Sequence, residues 1–158
     1  MNDEVLLGHC QRERCRASGP GGQHVQKNAC GIRLSLRHKD RDTVVQCQDL
    51  RSLEANTSRA LRELRIRLAL QERGFASEDC LSRFRQGRSL KISSDNALYY
   101  RVVAYFFDVL EDIDFDLPQC AETTGLSSSQ IIKCLRQHKL VWQTLQTERE
   151  QRGLAKLK

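Results

Sequence analysis

Between residues 16 and 27 the chain reads Arg16-Ala-Ser-Gly-Pro-Gly-Gly-Gln-His-Val-Gln-Lys27, and no other stretch gathers as many groups able to act on a substrate. Gly19, Pro20, Gly21 and Gly22 occupy four consecutive positions, a density that excludes regular structure and predicts a loop with unusual backbone angles. A phosphate cradle needs Gly-Lys-Ser/Thr opening a helix, and a dinucleotide fingerprint needs G-x-G-x-x-G after a strand. Neither spacing is present. The loop holds no Asp or Glu to serve as a general base. His9, Cys10, Cys15 and Cys30 lack the C-x-x-C knuckle of a zinc site, so no metal is expected. The seven cysteines are odd in number and widely spaced; they read as reduced thiols of a cytoplasmic protein that fill small apolar gaps.

Charge narrows the partner. The 158 residues carry a formal net charge of +6, and all of the excess lies in residues 1–91, with 18 Lys/Arg against 11 Asp/Glu. Fifteen of those cations are Arg, whose planar donor fork suits phosphate and stacks on bases, so a nucleic acid is the natural partner, with a merely solvated surface as the alternative. Residues 92–158 hold 8 Lys/Arg against 9 Asp/Glu. The most apolar run, Ala97 to Leu110, contains Arg101 and Asp108, which excludes a membrane span. The Met-Asn-Asp-Glu start lacks the basic flank of a secretory signal.

Elements that position the loop follow from periodicity. Cys10 to Arg16 reads as extended and polar. Ile32, Leu34 and Leu36 alternate with Arg33, Ser35 and Arg37, the mark of a half-buried strand. A turn through Lys39-Asp-Arg-Asp42 leads to a second strand, Thr43 to Cys47. From Leu53 the period becomes helical, through Leu61, Leu64 and Leu68, and Gly74 ends the run. The fold class is therefore α+β: a small antiparallel sheet with a long packing helix over residues 1–75, a polar linker at 76–92, and a small all-α domain at 93–158. In that domain Ala97 to Leu110 predicts a buried helix, and Leu117 to Gly153 has a helix-turn-helix rhythm with a capping box at Ser127-Ser-Ser-Gln130. Its charge of −1 disfavours a DNA-reading role.

The loop, the strand Gly31-Ile-Arg-Leu-Ser-Leu36, then Val44-Val-Gln-Cys-Gln-Asp49 and Arg51-Ser52 with Asn56 on the opening helix, together resemble the catalytic domain of class I peptide chain release factors. The resemblance covers about residues 9–73. It implies hydrolysis of the ester joining a nascent peptide to its tRNA, inside the ribosomal peptidyl transferase centre, with no cofactor. By resemblance Gly21, Gly22 and Gln23 are the catalytic residues: the glycines pass a narrow RNA-walled site, the Gln23 N–H donates to the developing oxyanion, and its side chain places a water. For His24 two roles stay open, a base, or an exposed side chain or rRNA contact, the latter being favoured. Arg16, Lys27, Arg33, Arg51, Arg59 and Arg62 fit contacts to RNA phosphates. For Ser18 and Ser52, local capping competes with an RNA contact. Gln23 is also the implied acceptor of a glutamine methyltransferase.

Two positions depart from the family. Position 26 is Gln where Asn is usual, which weakens the carry-over of a local hydrogen-bonding role, and position 53 is Leu where Gln is common. About 17 residues precede the loop, so no decoding domain is expected there, and the chain looks like the stand-alone relatives that rescue stalled ribosomes. Its last eleven residues, with four cations and two anions, match the basic tail of those relatives poorly. The expected function is codon-independent release of peptide from peptidyl-tRNA by a monomer bound to the ribosome. The alternative is a non-catalytic ribosome or RNA-binding factor on the same scaffold.

Overall fold

Period-two alternation decides the first part of the chain. In the computed structural model, which describes residues 2–16, 30–74 and 76–157, Ile32, Leu34 and Leu36 are buried on one face of β2 (Gly31–His38) while Arg33 and Arg37 stay exposed. β1 (Gln11–Cys15) and β3 (Arg41–Cys47) flank it in a three-stranded antiparallel sheet of order β1-β2-β3. Leu34 stands opposite Val45 and Ile32 opposite Cys47, so the apolar faces coincide across the pair. The hairpin turn is tighter than the four residues expected. His38 pairs with Arg41, leaving Lys39 and Asp40 alone at the tip with φ of 45° and 59°. A two-residue turn with both φ positive matches the twist of the flanking strands, and that match outweighs the strain of two non-glycine residues in the left-handed region.

The buried sheet face packs on α2 (Leu53–Gln71), whose Ala60, Leu61 and Leu64 share one core with Leu34, Leu36 and Val45. Ser52 opens this helix: its hydroxyl accepts from the Ala55 N–H at 3.3 Å, satisfying one of the free amides of the first turn. α1 (Asp3–Gly8) has no counterpart in the sequence reading, because six residues are too few to display a helical period. It is held by Leu6, fully buried, and by an ion pair between Asp3 and the nearly buried Arg65 of α2.

The chain divides into two compact units, Met1–Leu68 and Ala69–Lys158. In the second, residues 76–92, whose polarity suggests a linker, hold α3 (Asp79–Ser82) and a short hairpin of β4 (Arg85–Gln86) and β5 (Ser89–Leu90), with Leu81, Leu90 and Ile92 buried. α4 (Tyr99–Asp112) is the central element, burying Tyr99, Val102, Val103, Phe106, Phe107 and Leu110. The Tyr99 hydroxyl donates to the Cys134 carbonyl at 2.8 Å, so its one polar atom is satisfied inside the core. α5 (Leu117–Thr124) is capped by the Asp116 carboxylate on the Gln119 N–H at 2.9 Å and ends at Gly125, φ 65°. Ser127 caps α6 (Ser128–Leu135), and α7 (Lys139–Gln151) follows. The segment after α7 folds back on it: Gln146 exchanges two hydrogen bonds with the Leu157 backbone, at 2.8 and 3.0 Å, and Arg149 donates to the Ala155 carbonyl. No helix among the described residues is long and apolar enough to cross a membrane.

Candidate functional site

Gly21, Gly22, Gln23, His24 and Lys27 lie outside the described residues, as does Ser18; the frame that carries them is described. β1 ends at Cys15 and β2 begins at Gly31, and these two residues are register partners. The glycine loop therefore leaves and re-enters the sheet at adjacent positions. At Gly31 a Cβ would lie 2.8 Å from both the carbonyl oxygen and Sγ of Cys15 and 3.1 Å from the Gln48 Cβ. Only glycine lets β1 and the end of β3 close on the base of the loop at this separation.

A second support is Asn56, fully buried in the first turns of α2. Its Nδ2 donates to the Cys30 carbonyl at 2.7 Å and to the Leu50 carbonyl at 2.8 Å, while its Oδ1 accepts from the Leu50 N–H at 3.1 Å. One amide thus ties together the returning stalk of the loop, the connection from β3 to α2, and the helix itself. Backbone groups in a connection have no ladder partner, and this side chain supplies one.

The cations expected to meet phosphate do not form one patch. Arg16, at the outgoing stalk, and Arg51, in the β3–α2 connection, are both exposed. Arg33 is exposed on the sheet face turned away from α2, opposite Glu13 on β1 and Gln46 on β3. Arg59 is exposed and pairs with Asp49 at 3.1 Å, a solvent-screened contact worth less than about 1 kcal/mol, which a polyanion can displace. Arg62 is half-buried and already engaged. With about 1.5 Å of rise per residue it also lies roughly 9 Å further along the helix from Asn56. Arg12 and Arg14 join these cations. Both are exposed on the edge strand β1, where their i, i+2 spacing puts the two guanidinium groups on one strand face, and Arg16 follows just past the end of the strand. That alternation is the signal by which they can be found. Ser52 acts as a helix cap.

The cysteines of this unit divide by environment. Cys10 donates from Sγ to the Leu6 carbonyl at 3.2 Å and Cys47 faces the core; burial pushes both thiols up from the ordinary range. Cys15 and Cys30, at the two stalks, are half-buried. Among the described residues no three His, Cys, Asp or Glu side chains converge on a point that can hold a metal ion.

The family model described as the RF-1 domain matches residues 5–103 of the chain. Peptide chain release factor 1 of Caldicellulosiruptor saccharolyticus is 45% identical over 65 residues, covering 41% of this chain and 18% of that protein. Peptide chain release factor 1 of Caldicellulosiruptor bescii is 51% identical over 53 residues, 34% of this chain and 14% of that protein. That of Dictyoglomus thermophilum is 46% identical over 56 residues, covering 35% and 15%. The match thus spans less than a fifth of the length of these curated relatives. No solved structure matches the chain.

Proposed function

The chain belongs to the RF-1 domain family, and from that premise we propose that it hydrolyses the ester of peptidyl-tRNA within the ribosome, without a stop codon, as a rescue factor. The observation that carries this is the intact Gly21-Gly22-Gln23 sequence on a loop whose two ends are paired in register at Cys15 and Gly31. On this reading the Gln23 N–H donates to the oxyanion as the water attacks the ester carbonyl. A fixed donor of this kind is worth about 3 kcal/mol, because its dipole is already oriented when the charge appears. The Gln23 side chain positions the water. With no carboxylate in the loop, the rest of the rate comes from holding the reactants together, with RNA supplying the walls. Arg12, Arg14, Arg16, Lys27, Arg33 and Arg51 hold the loop in register on phosphates. Methylation of Gln23 by a glutamine methyltransferase belongs to the same proposal.

The test is release of labelled peptide from purified ribosomes stalled on a message that has no stop codon. The intact chain releases peptide. Gln23→Ala and Gly22→Ala lower the rate by about 100-fold or more, the scale of a misplaced reacting group, with ribosome binding retained. Equal release by wild type and Gln23→Ala refutes the role of Gln23. Binding without release on any stalled complex supports the non-catalytic RNA-binding factor instead. Activity only on messages bearing a stop codon refutes codon independence while leaving the hydrolase reading in place.

A further inference from the structure

The second unit, Ala69–Lys158, is close to neutral, with 13 Lys/Arg against 12 Asp/Glu, but its charges are segregated. Residues 108–122 hold six acidic residues and no Lys or Arg, whereas residues 123–147 hold Lys133, Arg136 and Lys139 and no acid. The second stretch contains α6 and most of α7. Along α6 and its C-cap, Ser129, Ile132, Lys133 and Arg136 recur at i, i+3, i+4 and i+7, the side opposite the buried Ile131, Cys134 and Leu135. Together with Gln137 they line an open groove of about 510 Å³. Gln137 is held in place, its amide donating to the Ile92 carbonyl at 2.9 Å and accepting from the Ser94 N–H at 2.9 Å. The Arg136 guanidinium lies over the Trp142 ring of α7, 5.4 Å from its centroid, which orients its donor fork. Lys133 and Lys139 are exposed and have no ion-pair partner among the described residues.

We infer that this α6–α7 face docks the phosphodiester backbone of structured RNA. Two free ammonium groups and one stacked guanidinium, with no carboxylate among them, favour a polyanion. Among the described lining residues Ile132 alone is apolar and the groove is open, so it encloses no pocket for the side chains of an acidic peptide, whereas phosphates need only the cations. The choice of RNA over DNA rests on the proposed ribosomal reading.

Trp142 is the single tryptophan of the chain and reports on this face alone. Titrating the full chain with an RNA hairpin of about 12 base pairs, with binding followed independently by anisotropy of a labelled hairpin, is expected to quench its emission saturably. Lys133→Ala/Lys139→Ala leaves the Arg136–Trp142 pair intact and removes two phosphate contacts. The slope of log K against log salt then falls by about 2, so that raising salt from about 50 to about 200 mM weakens wild type roughly tenfold more than the variant. Hairpin binding with no change in Trp142 emission, or an unchanged salt slope in the variant, overturns the inference. Equal quenching by polyglutamate assigns the face to an acidic protein, and equal affinity for the matching DNA hairpin overturns the choice of RNA. Gln23→Ala is expected to quench as wild type does. Normal quenching by the wild-type chain with no peptide release from any stalled ribosome refutes the hydrolase reading alone.

Discussion

Replacing Asn56 by Ala removes a side chain that joins the returning stalk of the glycine loop to the helix beneath it. Three hydrogen bonds disappear, to the Cys30 carbonyl and to both the N–H and the carbonyl of Leu50. Each is worth about 1 kcal/mol net, and Ala returns about 0.5 kcal/mol through its better helix propensity. The expected destabilisation is about 2.5 kcal/mol, read as a shift of the urea midpoint at unchanged slope. Asn56→Asp sharpens the test. The new carboxylate still accepts from the Leu50 N–H, but its second oxygen faces the Cys30 and Leu50 carbonyls, which accept and cannot donate. Its folded pKa is therefore raised above the unfolded value of about 3.9. A raised pKa means that the folded state holds the proton more tightly, so this variant is closest to wild type below about pH 4 and loses stability as pH rises through the folded pKa. A loss under about 1 kcal/mol in Asn56→Ala, or an Asn56→Asp variant whose deficit does not grow with pH, refutes the assignment of these bonds.

Leu6→Ala tests whether α1 is integral to the first unit: Leu6 is fully buried, and truncation of such a side chain costs about 2–5 kcal/mol, so a midpoint unchanged in urea makes the helix an appendage. For the second unit, alkaline pH is the lever. Burial pushes the Cys120 and Cys134 thiols up to about 12 from 9.0; this stabilisation is complete below about pH 9 and is lost as pH rises toward 12, so unfolding free energy falls by about 2 kcal/mol or more between about pH 9 and 10.5. In the native protein at pH 8 iodoacetamide is expected to label the half-buried Cys15 and Cys30 well before Cys120 and Cys134, and the reverse order by peptide mass mapping rejects that burial.

Elements whose burial repeats along the chain were legible from the residues alone. The alternation through Leu36 located β2, and the spacing of Leu61, Leu64 and Leu68 located α2. Ser127 likewise marked the start of α6. Interactions that depend on tertiary pairing were not legible. Asn56 reaches Cys30 across 26 positions of sequence, and nothing in a lone Asn on a helix says where its amide points. Leu6 is one of three adjacent apolar residues, Val5, Leu6 and Leu7, after an acidic start, and only the partner core singles it out. Arg33 and Arg59 look equivalent as exposed cations until the register places Arg33 on the face away from α2.

Net charge was the least informative quantity, for a physical reason. A unit of 90 residues, Ala69–Lys158, has an expected radius of gyration of about 12 Å, while ions screen exposed charges beyond about 8 Å at physiological salt. A ligand at one face therefore responds to the charges of that face, and a total near zero excludes nothing when acids and bases sit on different elements. The same scale applies to the first unit, whose sequence holds 13 Lys/Arg against 8 Asp/Glu and whose described cations lie on an edge strand, an outward sheet face, a helix and the connections between them. Cations on both faces of one sheet cannot all meet a flat polyanion. They can all be used when the polyanion surrounds the element that carries them, which is the situation of a loop inserted into an RNA-walled cavity. On the proposed reading, neutralising Arg33 and neutralising Arg51 should therefore weaken ribosome binding additively, since each meets its own phosphate; strong non-additivity in the double variant would place both on one shared contact and contradict an enclosing site.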